Sequence, residues 1–279
     1  MTNFDLTGKV AIVTGASEGI GRGIAQALAE AGADLVISSR TQATLDAAAA
    51  EVRAATGRRV LAVTADVTKA ADVEHLAQRA KAEFGRIDIL VNNAGGNIGR
   101  TFKRAPLIDM SEHDWDECVN LNLKSVWLCS KAVAPTMMEQ GRGSIINLST
   151  MAATDHEAPR TGFSAYGAAK AGVNRLTVCM ATEWGPAIRV NCVIPGFIDN
   201  PKPTPGRTPE AIAQRVKSIA AGRIGKNEDV AAAVLFFAAD ATEWITGATL
   251  PVNGGIKSVQ PAGLPTGGAG ITRGDIAKG

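Results

Sequence analysis

Aromatic side chains are scarce in this chain: they make up 4% of its 279 residues, and there is a single tyrosine. Neither sign of charge is in excess. The 29 Lys and Arg face 27 Asp and Glu, a net charge of +2, which removes the electrostatic argument for nucleic acid or an anionic membrane as partner. The four cysteines, Cys118, Cys129, Cys179 and Cys192, form no C-x-x-C pair and have no histidine spacing suited to zinc. Each lies in an apolar segment and reads as a small buried hydrophobe, so no metal site is expected. No run of about 18 residues is apolar enough to span a bilayer, and the first residues lack the basic and apolar parts of a secretory signal. A soluble cytoplasmic protein is expected. No internal repeat is evident.

At 46% hydrophobic content the chain can bury a substantial core, and one α/β domain is the economical reading. Short runs rich in β-branched residues recur at 10–13, 35–37, 60–63, 87–91, 145–148, 190–194 and, more weakly, 249–252, which predicts seven buried strands. Segments of helical period separate them; Val73, Leu76, Ala77, Ala80 and Phe84 form one such stripe. With right-handed crossovers this alternation gives a single doubly wound, Rossmann-like parallel sheet with helices on both faces. Ligands bind such sheets at the C-terminal ends of the strands. Ser111 and Asp114 read as a capping signal ahead of one long helix carrying Trp115, Val119, Asn122 and Leu123. Pro195, Pro201, Pro203, Pro205 and Pro209 mark an irregular loop, of the kind that covers substrates, leading to a helix near 210–219. The Gly, Pro and Ala-rich end reads as an extended tail, dividing the chain into a domain over 1–258 and a tail over 259–279.

Directly after the first strand, TGASEGIG at 14–21 passes through a glycine turn into a helix. Gly15, Gly19 and Gly21 let the backbone turn and approach a pyrophosphate, which meets unpaired N–H groups and the positive end of the helix dipole. Ser17, Glu18 and Ile20 belong to the same loop and are expected to touch the cofactor. A carboxylate at the end of the second strand would select NAD through its ribose hydroxyls. Ser39 and Arg40 stand there instead, a small hydroxyl and a guanidinium suited to a 2′-phosphate. NADP(H) is therefore the preferred dinucleotide and NAD(H) the alternative, with Arg40 then stacked on adenine or facing solvent. Asp66 and Val67 follow the third strand, where the carboxylate can accept the adenine amino proton and the valine can pack on the ring; a turn or N-cap aspartate reads equally well. Asn92, Asn93, Ala94 and Gly95 end the fourth strand, where amides can tie strand ends together and small residues let a cofactor come close. Tyr166, the lone phenol, sits one helical turn before Lys170 on the same helix face. An ammonium there would stabilise the phenolate needed for proton exchange near neutral pH.

Together, TGASEGIG at 14–21, NNAG at 92–95, Tyr166-x-x-x-Lys170 and Pro195-Gly196 resemble the short-chain dehydrogenase/reductase family in order and spacing over residues 9–255. The resemblance implies a metal-independent oxidoreductase that interconverts a small-molecule carbonyl and a secondary alcohol. By it, Tyr166 is the proton donor, and Lys170 holds the nicotinamide ribose and lowers the tyrosine's pKa. Asn122 links Lys170 to solvent through a water. The hydroxyl that polarises the carbonyl, usually a serine, falls on Thr150, with Ser149 beside it as the alternative. The spacing from there to Tyr166 is longer than usual, so the loop 155–160 is expanded. Pro195, Gly196 and Ile198 match the segment whose backbone binds the carboxamide, with Asn200 where threonine is common; Asn253 to Gly255 match the closing segment. A homotetramer paired through long central helices is also implied. Substrate choice depends on the loops 96–105, 151–164 and 197–219. In them Asp155, His156 and Glu157 read as exposed polar groups, while Arg160, Lys202 and Arg207 suggest a 3-oxoacyl thioester on an anionic carrier as an alternative substrate. A dinucleotide-sensing regulator that has lost the chemistry is the rival from another class.

Overall fold

Neighbouring residues of the first two strands point to opposite sides, and both sides are apolar. In the computed structural model, which describes residues 4–99, 101–154, 161–199 and 208–256, Val10, Ile12 and Val36 enter one core layer. Ala11, Val13, Leu35 and Ile37 enter the other. A strand apolar on both faces must be covered on both, and the helices do this.

The strands are β1 Val10–Thr14, β2 Asp34–Ser39, β3 Val60–Thr64, β4 Ile89–Asn92, β5 Gly143–Leu148, β6 Ile188–Pro195 and β7 Thr249–Val252. The helices are α1 Gly19–Glu30, α2 Gln42–Thr56, α3 Ala70–Phe84, α4 Glu112–Val119, α5 Ser125–Glu139, α6 Ser164–Trp184, α7 Pro209–Val216 and α8 Asn227–Ala238. All strand pairs are parallel, in the order β3-β2-β1-β4-β5-β6-β7. Residues of α1, α2 and α8 fill one layer and residues of α3, α5 and α6 the other. The order reverses between β1 and β4, so the crevice beyond their C-terminal ends lies at the topological switch point.

Two expectations shift for identifiable reasons. β4 begins at Ile89 rather than Ile87, because the Gln140 amide takes both the N–H and the carbonyl of Ile87, at 3.0 and 2.8 Å. The long helix after β4 is not uniform. Ser111 caps it as expected, accepting the Asp114 N–H at 3.1 Å, but a wide π-type turn, Asn120–Lys124, separates α4 from α5. Asn122 sits inside that turn.

Candidate active site

β1 delivers the chain to Gly15, whose φ of +65° is open to glycine at little cost. Glu18, the residue before α1, is extended and makes no side-chain cap, so the first N–H groups of the helix stay directed at the cleft. Gly21 is required for a packing reason. A Cβ there would strike the Gly15 carbonyl oxygen and the Asn93 amide. Asn93 in turn donates to the carbonyls of Thr14 and Gly15 at 2.9 and 3.1 Å. Thr14 completes the lock: its hydroxyl accepts the N–H groups of Asn93 and Ala94, both at 3.1 Å, and donates to Val91 O at 3.2 Å. Asn92 acts likewise one layer deeper, bonding Asn147 and Ser130 at 2.8 and 3.0 Å. Both asparagines therefore tie strand ends together, and only Asn93 also borders the cleft.

At the other end of the cleft, Ser39, Arg40, Thr41 and Thr44 form the rim beyond β2, with Arg40 exposed. Asp66 accepts the Thr68 N–H and hydroxyl at 3.1 and 2.7 Å, the geometry of an aspartate turn. Burial raises its pKa, but the Thr68 bonds and the Arg40 and Lys69 charges outweigh this and leave the carboxyl below its ordinary value. Ser38 is fully buried, its hydroxyl has no partner, and it faces the same cleft. An orphan hydroxyl there is a vacancy for a hydrogen bond from a polar ligand.

The proton-handling groups gather where β4, β5 and α6 meet. Lys170 is buried and donates to the Leu148 carbonyl at 2.7 Å. Burial pushes its pKa down from 10.5 to about 8. The Thr150 hydroxyl acts to lower the pKa of Tyr166, but burial acts more strongly and leaves the phenol above its ordinary value. The hydroxyl beside Tyr166 is that of Thr150, whereas Ser149 turns away to donate to the Lys170 carbonyl at 3.2 Å. Asn122 is fully buried and lies behind the cleft wall. Its amide accepts the Gly96 N–H and donates to the carbonyls of Gly96 and Cys118, each at 2.9 Å. A Cβ on Gly95 would come within 2.8 Å of the Asn122 oxygen and 3.2 Å of the Lys170 nitrogen, so glycine lets the wall pass close to both. Gly196 serves packing in the same way, since a Cβ would meet the Asn253 backbone at 2.6 Å.

These groups line a single cleft of about 880 Å3 that runs from the Gly15 loop to Tyr166. Among the described residues, those expected to hold the dinucleotide border it, Pro195, Gly196 and Ile198 included, while Asn122 of the expected catalytic set does not. Its length, the helix N-terminus at one end and the orphan Ser38 hydroxyl suit an extended, phosphate-bearing ligand. Sequence reasoning missed Thr14, Ser38, Thr44, Ile98, Phe197 and Asn227. Asn227, from the start of α8, reaches the cleft because its Cβ packs where Gly23 has none, and no local motif announces that contact. Asp155, His156, Glu157, Arg160, Asn200, Lys202 and Arg207 lie outside the described residues. Cys118, Cys129 and Cys192 are buried free thiols, whereas Cys179 is only half-buried; burial pushes Cys129 and Cys192 up to about 12. Among the described residues no group of His, Cys, Asp and Glu could hold a metal ion, and no helix is long and apolar enough to cross a membrane.

The family profile described as enoyl-(acyl carrier protein) reductase matches residues 15–257. The chain is 39% identical over 258 residues to the 2-dehydro-3-deoxy-D-gluconate 5-dehydrogenase of Escherichia coli (strain K12), covering 91% of this chain and 98% of the relative. It is 36% identical over 253 residues to the 3-oxoacyl-[acyl-carrier-protein] reductase FabG of Thermotoga maritima, covering 90% and 98%. Among solved structures it is similar to a 7α-hydroxysteroid dehydrogenase complexed with NADH and 7-oxo glycochenodeoxycholic acid, with a TM-score of 0.85, 34% identity and coverage of 92% and 97%.

Proposed function

We propose, since the chain belongs to the short-chain dehydrogenase/reductase family and is an oxidoreductase acting between carbonyl and alcohol, that it uses NADP(H) and that Tyr166 moves the proton. The reading is carried by one observation: Tyr166, Thr150 and Lys170 line together the end of the cleft that begins at the glycine loop. The bound nicotinamide supplies the hydride in reduction and accepts it in oxidation. Thr150 donates to the substrate oxygen, and Tyr166 delivers its proton to that oxygen as negative charge develops there. Lys170, held against Leu148, lies one helical turn on and supplies positive charge for the phenolate and a donor for the ribose hydroxyls. Asn122 holds Gly96 near Lys170, and in this reading a bound water beside it would connect Lys170 to solvent. The loop of Gly15, Ser17, Glu18, Gly19, Ile20 and Gly21 would hold the dinucleotide phosphates, Asp66, Val67, Asn93, Ala94 and Gly95 would wall its adenosine and ribose portions, and Pro195, Gly196 and Ile198 would take its carboxamide. Replacing Tyr166→Phe should leave dinucleotide affinity unchanged and lower kcat about a thousandfold on any ketone that turns over. A variant as active as wild type would end the assignment. Tight dinucleotide binding with no turnover across a ketone panel would favour the sensing regulator instead.

The preference for NADP(H) rests on Arg40 and Ser39 beyond β2, where no carboxylate is present to claim a ribose 2′-hydroxyl. Arg40→Ala should raise KM for NADPH about tenfold and leave KM for NADH nearly unchanged; equal effects on both would refute the 2′-phosphate contact. A 3-oxoacyl thioester is the second substrate reading, supported by the similarity to the Thermotoga reductase. Turnover of acetoacetyl thioester, improved when the thioester is carrier-linked, would select it. The protein works as a cytoplasmic homotetramer on small molecules, without nucleic acid or membrane as partner.

A further inference from the structure

One phenyl ring, Phe163, packs on the proton donor and another, Phe197, lines the cleft, and each carries an arginine. The Arg104 guanidinium carbon lies 5.0 Å from the centre of the Phe163 ring, and Phe163 meets the Tyr166 ring edge-on at 6.3 Å between centres. Arg215 likewise lies 5.2 Å from the centre of the Phe197 ring, which forms part of the cleft wall. The segment bearing Arg104 is pressed against the turn that opens α6, since a Cβ on Gly162 would be 3.3 Å from that of Arg104. Arg104 is therefore one aromatic ring away from the proton donor.

Arg104 is exposed and, among the described residues, pairs with no carboxylate. The nearby acids are engaged elsewhere: Asp114 accepts the Lys103 N–H and the Ser111 hydroxyl, and Glu117 accepts the Thr101 hydroxyl. A guanidinium held beside a ring and not by a carboxylate keeps N–H donors for a two-pronged contact with an oxyanion. Stacking also fixes the side chain before any ligand arrives, which reduces the entropy lost on binding.

We infer that Arg104 reads a carboxylate on the substrate whose carbonyl reaches Tyr166, so that the enzyme prefers oxo acids to neutral ketones. This deepens the reductase reading and rests on it. The test compares levulinate and acetoacetate with their methyl esters, assayed with NADPH and NADH, in wild type, Arg104→Met and Arg104→Lys. The acids should exceed their esters by about tenfold in kcat/KM. Arg104→Met should erase that ratio through KM with kcat preserved, while Arg104→Lys retains part of it. Equal kcat/KM for acid and ester in wild type, or a ratio untouched by Arg104→Met, would overturn the inference. Calorimetric titration of levulinate into the NADP+-saturated protein separates the two layers. Binding weakened about tenfold in Arg104→Met supports the anion site even if no ketone turns over, a result that would count against the reductase reading alone. Binding equal in both proteins, or absent from wild type, overturns it.

Discussion

Lys170 shows most plainly how burial sets chemistry at a single residue. The unfolded chain holds this amine near 10.5 and the fold holds it at about 8. Between those values the unfolded state carries more protons, so stability rises with pH; below about 8 the full cost of burying the ammonium is present. Lys170→Met removes this dependence. The stability of wild type minus that of the variant should climb between about pH 7 and 10.5, by at most on the order of 3 kcal/mol, in urea titrations of the dinucleotide-free protein. A flat difference would show that the amine keeps its ordinary pKa. That Tyr166 and Lys170 share one helix face was legible from their spacing, and their pairing only from the motifs around them. That burial would raise one and lower the other was not, because desolvation depends on what surrounds the helix and not on what lies along it. The same holds for the choice between Ser149 and Thr150. Adjacent residues point to different sides of an extended segment, and only the path of the chain after β5 decides which hydroxyl meets the phenol.

At the scale of the element, the instructive departure is the π-type turn between α4 and α5. Helical periodicity predicts one long helix through Asn122, and the chain is helical throughout. The widened turn places the Asn122 amide against Cys118 and Gly96, a segment far away in sequence that no periodic pattern reports. Asn122→Ala leaves the Gly96 N–H and carbonyl without these partners. We expect it to lower kcat at least tenfold and to destabilise the protein by about 1–3 kcal/mol, read from turnover and urea melts. Unchanged turnover with the stability loss would make Asn122 a structural residue only. The phosphate loop was legible for the opposite reason: its glycines, cap and flanking strand and helix are contiguous, so local sequence specifies them.

For the whole molecule, assembly is a proposal that the exposed Trp115, Trp127 and Met138 on α4 and α5 support, since large apolar groups on a helix face are costly to leave in water. Sedimentation should give a tetramer for the full chain, a smaller species for Trp127→Glu, and an unchanged tetramer with the same Tm for a chain shortened to residues 1–258, as the proposed domain limit requires. A monomeric full chain would refute the assembly, and a lower Tm on shortening would refute the limit. The sequence by itself determined seven strands, their alternation with helices, the glycine loop and the Tyr166–Lys170 face, because each depends on periodicity or on contacts a few residues apart. Tertiary structure alone decided that Thr14 and Asn93 lock two strand ends, that Ser38 is left without a partner, that Asn227 reaches the cleft and that Arg104 stands one ring from Tyr166. Those contacts join residues far apart along the chain, and their distances follow from how helices pack on the sheet, which no local pattern of residues records.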